Sequence, residues 1–134
     1  MRLLGIDYGH KKVGLAISDE SGRFAFPLAV VINDKSLLKK IKKICEQEKI
    51  EIIIIGESLD LSGQPNPIMT KIRKFADELK QETKLPFKYE REFYTSWEAK
   101  RIIDESQTDK MTDARAAALI LKSYIDQQNN RSDR

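Results

Sequence analysis

A chain of 134 residues with 40% hydrophobic and 34% charged residues has the apolar content for one packed core and the surface charge of a soluble domain. Its single cysteine, Cys45, excludes an intramolecular disulfide and any cysteine-built zinc site, and a net charge of +3 is a mild basicity that permits a nucleic-acid partner without requiring one. No apolar run is long enough to span a membrane, and the opening run, broken by Asp7, is too short for a signal peptide, so the expected location is the cytoplasm.

In chain order, residues 2–8 and 12–19 read as two strands of a hairpin around the turn Tyr8-Gly9-His10-Lys11-Lys12. Residues 24–32, FAFPLAVVI, read as a third strand, and Pro27 inside it predicts a sheet edge or a bulge. From Ser36 the period changes. Leu37, Leu38, Ile41, Ile44 and Cys45 recur at helical spacing, with lysines on the solvated face and Cys45 on the packing stripe. In residues 50–56, IEIIIIG, four consecutive isoleucines are β-branched and apolar on both faces, as expected of a central parallel strand covered by helices.

The segment LDLSGQPNP reads as a loop, ending in Asn66 as N-cap and Pro67 at the first helical position. Ile68, Ile72, Phe75, Ala76 and Leu79 continue that helix to about Lys84, and PFKYERE is a short strand. Thr95-Ser96-Trp97-Glu98 forms a capping box for a helix to about Glu105, with Trp97 read first as a packing residue. SQTDK is a polar connection. A last helix runs from Thr112 to about Gln128, followed by a frayed tail. Three antiparallel strands followed by alternating strands and helices predict a single α/β domain over 1–134, a mixed sheet with helices on both faces.

Three acids stand out. Asp7 ends the first strand, Glu92 ends the last, and Asp113 opens the last helix in line with the inward stripe Ala117, Ile120, Leu121 and Tyr124. Singly, each is explained as a turn acid, a solvated strand end or a helix-dipole partner. Together at one end of a sheet they would repel unless a cation sat between them. Hard oxygen donors select Mg²⁺ or Mn²⁺, and such a centre suits phosphodiester hydrolysis. GHKKVG has a P-loop's glycine spacing but lacks its terminal Lys-Ser/Thr.

At this point the chain resembles a family. GIDYGHKKVGLAISD is similar to the GIDYGxKRIGxAxSD opening of the YqgF/RuvX family of Holliday junction resolvases, also described as pre-16S rRNA nucleases. IIIIGESLDLSG resembles that family's VVGLPLxxxG, EFYTSWEA its ERLTTxEA, and TDARAAALILKSYID its VDxxAAxxILQxYL. The resemblance implies an RNase H-like fold, a five-stranded sheet of order 3-2-1-4-5 with strand 2 antiparallel, and Asp7, Glu92 and Asp113 as the metal-binding acids. The chain departs from the pattern in two places. Glu57-Ser58 stands for the family's Leu-Pro, and Arg91-Glu92-Phe93 for its acid-Glu-Arg. In RNase H-like nucleases an acid ending strand four often binds metal. Glu57 is therefore read either as a fourth ligand or as a solvated loop glutamate.

Around these acids, Lys11 and Lys12 in the turn, Thr95 and Ser96 at a helix start, and Arg115 beside Asp113 are candidate substrate contacts. His10 reads first as an exposed turn residue. The leading expectation is a Mg²⁺- or Mn²⁺-dependent endonuclease acting on rRNA precursor or branched DNA, as a monomer or homodimer with no membrane partner. The competing readings are a nucleic-acid-binding or transcription-associated protein without catalysis, and an actin-like or sugar-kinase-like phosphate-binding domain, for which the chain is too short.

Overall fold

The structure is a computed structural model and describes residues 1–93 and 111–132. Strands β1 (Leu3–Tyr8), β2 (Lys12–Ser18), β3 (Ala25–Ile32), β4 (Ile52–Leu59) and β5 (Phe87–Phe93) form one sheet in the order β3-β2-β1-β4-β5. β2 pairs antiparallel with both β1 and β3, while β1–β4 and β4–β5 are parallel. The expected order and the reversed second strand are therefore both present. The helices among the described residues are α1 (Leu37–Gln47), α2 (Met69–Thr83) and α3 (Thr112–Ser132).

The isoleucine run explains why β4 is central. Ile53 and Ile55 join Leu4 and Ile6 of β1 in a core with Leu37, Ile41 and Cys45 of α1 and Ile72, Phe75 and Leu79 of α2. Ile54 points the other way, into a second core with Leu3, Ala16 and the α3 residues Ala117, Ile120, Leu121 and Tyr124. Period-two alternation on a strand covered from both sides puts an apolar residue at every position. α3 lies close against the sheet, since a Cβ on Gly5 would stand 2.9 Å from the Ala117 carbonyl oxygen.

Pro27 meets both readings made of it. β3 is a sheet edge, and its pairing with β2 jumps from Ala29 to Pro27, leaving Leu28 as the extra residue of a bulge. Other expectations are corrected. β4 does not end at Gly56 but continues to Leu59, because β5 pairs with it through Leu59 and supplies its hydrogen bonds. Asn66 does not cap α2. The helix begins at Met69 behind Ile68 with no side-chain cap bond, since Asn66 is drawn to β4, where its amide donates to Ser58 Oγ at 2.9 Å. α3 runs on to Ser132, beyond the expected end near Gln128. The capping box with Thr95, Ser96 and Trp97, its helix and the SQTDK connection lie outside the described residues.

Candidate active site

On β1, Leu3, Gly5 and Asp7 face α3, whereas Leu4, Ile6 and Tyr8 face α1 and α2. Asp7 is paired in register with Gly14 of β2. A Cβ on Gly14 would stand only 1.9 Å from the carbonyl oxygen of Asp113, so the first turn of α3 rests directly on the strand beside Asp7. That contact positions Asp113, whose helix continues inward through the buried Ala117, Ile120, Leu121 and Tyr124.

β5 brings the third acid. Lys88 Nζ lies 5.8 Å from the centre of the Tyr124 ring. Two residues on, the buried Glu90 accepts hydrogen bonds from Gln127 Nε2 at 2.6 Å and Ser123 Oγ at 3.2 Å. These contacts turn that face of β5 toward α3, and strand alternation puts Glu92 on it too. Asp7, Glu92 and Asp113 thus share one face and one end of the sheet.

Their mutual field is visible at Asp7. Its carboxyl is pushed up to about 7 from 3.8, first by burial, then by the charges of Glu92 and Asp113. Some of its surface still reaches solvent, so an incoming ligand can touch it. The donor chemistry fits a hard divalent cation, because three carboxylates offer oxygen alone and a positive charge would relieve their repulsion. Among the described residues, however, no three His, Cys, Asp or Glu side chains are gathered into a ready ligand group. As placed, the acids share a field rather than a common ligand point.

Glu57 is corrected. A Cβ on its neighbour Gly56 would meet Ile120 Cδ1 of α3 at 2.7 Å, so Glu57 projects from the opposite face of the sheet. There it sits 3.9 Å from Arg91 Nε and adds to the field around Tyr89. It lies in β4 rather than in a loop, on the other face of the sheet from the three acids.

The candidate substrate contacts divide. Lys11 and Lys12 are exposed at the β1–β2 turn, just beyond Asp7, and Asn33 holds that turn by donating from Nδ2 to Gly9 O at 2.8 Å. Arg115 is exposed on the first turn of α3. Thr95 and Ser96 lie outside the described residues. His10 turns away from the acids, with Nδ1 3.5 Å from Lys71 Nζ of α2. The sequence reading missed one residue at this site. Gly14 had a signal, a glycine inside a strand that marks close backbone approach.

A family model described as "RuvX: Holliday junction resolvase" matches residues 1–127. A relative from Protochlamydia amoebophila is 37% identical over 93% of each chain, and one from Thermoanaerobacter pseudethanolicus is 32% identical over 98% of this chain and all of its own. Both carry the provisional name pre-16S rRNA nuclease. Among solved structures, T. thermophilus RuvC in complex with a Holliday junction substrate superposes with a TM-score of 0.59 over 96% of each chain at 14% identity, which shows the shared RNase H-like fold.

Proposed function

The chain belongs to the RuvX family of Holliday junction resolvases, and from that membership we propose that it is a metal-dependent endonuclease hydrolysing phosphodiester bonds in structured nucleic acid. Asp7, Glu92 and Asp113 are its acidic centre. The observation that carries this reading is the placing of Asp7, Glu92 and Asp113 on one face and at one end of the sheet, where burial and the two neighbouring charges push the Asp7 carboxyl up. A protein keeps such a costly arrangement where negative charge is needed. When bound there, Mg²⁺ or Mn²⁺ would supply the positive charge that activates water and stabilises a leaving oxygen.

The chain's own residues do the rest. Asp7 presents its charge from a rigid strand, and Glu92 and Asp113 flank it from β5 and α3. Lys11 and Lys12 attract backbone phosphates to the turn, and Arg115, Thr95 and Ser96 are further phosphate contacts in this reading. The substrate is an rRNA precursor or branched DNA, met in the cytoplasm by a monomer or homodimer.

The test incubates a four-way DNA junction and a pre-16S rRNA fragment side by side with Mg²⁺, Mn²⁺ or EDTA. Metal-dependent cleavage of either supports the reading. Binding without cleavage would refute it and leave a nucleic-acid-binding protein, the alternative that the departures from the family pattern around Glu92 keep open.

A further inference from the structure

β4 runs between β1, which carries Asp7, and β5, which carries Glu92. Its residue in register with Glu92 is Ser58. Gly56 faces α3, so Ser58, two residues on, is presented to the same face as the three acids. The chain is distinctive here, since the family pattern that it resembles has proline at this position and proline has no hydroxyl.

Ser58 is held with unusual care for a strand end. Asn66 donates twice to it, from Nδ2 to the hydroxyl oxygen and from the main-chain N–H to the carbonyl oxygen, each at 2.9 Å. The Ser58 N–H meets Met69 Sδ at 3.1 Å. The loop that delivers Asn66 is itself closed. Leu59 bridges Pro65, and Asp60 Oδ1 accepts from the main-chain N–H groups of Ser62 and Gln64, both at 2.9 Å. A serine hydroxyl has two lone pairs and one proton to give. Asn66 uses a lone pair, and the proton has no acceptor among the described residues.

We propose that Ser58, oriented by Asn66, donates its hydroxyl proton to a nonbridging oxygen of the phosphodiester bound at the acidic face. This rests on the nuclease reading of that face. Ser58 is then a substrate-contacting residue, and Asn66, acting through it, a positioning residue. A neutral donor also suits the place, because it contacts a phosphate without forming an ion pair with the acids that the reaction requires.

The test uses the full chain with Ser58→Ala, Ser58→Thr and Asn66→Ala. Binding of a labelled four-way DNA junction and of a pre-16S rRNA fragment is followed by anisotropy in EDTA and in Mg²⁺, and cleavage by steady-state kinetics. Loss of a hydrogen bond to a charged group corresponds to roughly tenfold or more. Ser58→Ala should therefore raise Kd and KM by about tenfold with a smaller change in kcat. Ser58→Thr should restore both, and Asn66→Ala should fall between. If Ser58→Ala melts below the assay temperature, Ser58→Cys, of similar volume but only a weak donor, carries the same expectation. Wild-type affinity in Ser58→Ala, a fall in kcat alone, or failure of Ser58→Thr to rescue would each overturn the proposal. A wild-type protein that binds but never cleaves would refute the nuclease reading instead, leaving Ser58 to be judged by Kd.

Discussion

Replacing Asp7 by asparagine keeps the shape of the side chain and removes its charge. The carboxyl is pushed up from 3.8 to about 7. A folded-state value above the unfolded one means that the native chain binds this proton more tightly. The stability it contributes is full below about pH 4 and is lost as pH rises through about 7. About three pH units at 1.36 kcal/mol each set a ceiling of ~4 kcal/mol on the cost of the ionised group at pH 8. Solvent contact and salt screening reduce this to roughly 1–3 kcal/mol. Asp7→Asn should therefore raise the metal-free melting temperature at pH 8 by several degrees, at roughly 4 °C per kcal/mol for a chain of this size, and leave it near wild type at pH 4. Cleavage in Mg²⁺ should fall at least a hundredfold, the equivalent of ~3 kcal/mol of lost electrostatic stabilisation. Thermal melts in EDTA at pH 4, 6 and 8, with cleavage measured on the same preparation, read both effects. A mutant that is less stable at pH 8, or that keeps the wild-type dependence of stability on pH, would refute the charge argument. One that cleaves at the wild-type rate would refute the role of Asp7 in catalysis.

Other outcomes follow from the same geometry. Mn²⁺ binds the ionised carboxylate, so calorimetry should show affinity falling as pH drops from 8 to 6, and equal affinities would place the ion elsewhere. Gly14→Ala forces a methyl group against the Asp113 carbonyl oxygen, which should displace the first turn of α3, cost about 1–3 kcal/mol in a urea melt and lower cleavage with it. Glu57→Gln should leave Mn²⁺ affinity unchanged in the same titration, because Glu57 stands on the far face of the sheet, and a marked loss would return it to the ligand set.

Much of this protein can be read from its residues in order. The four isoleucines require a strand buried on both sides, and the stripe Ala117, Ile120, Leu121 and Tyr124 requires a helix packed along one face with Asp113 leading it. These are local periodicities, and burial enforces them wherever the element comes to rest. What the periodicities could not supply is which residues beyond their ends are recruited by distant partners. β4 reaches Leu59 because β5, about thirty residues later, offers hydrogen bonds to it. That extension places Glu57 on one face and Ser58, in register with Glu92, on the other. Asn66 has the side chain of a helix cap, whose oxygen would accept from N–H groups of the first helical turn, yet its Nδ2 donates to Ser58 Oγ of β4 and no cap bond forms. The meeting of Asp7 with Asp113 depends on Gly14, whose missing side chain matters only once α3 lies across it. Pairing register and close backbone approach are relations between segments far apart in the chain, so packing decides them, and no single stretch of sequence carries them.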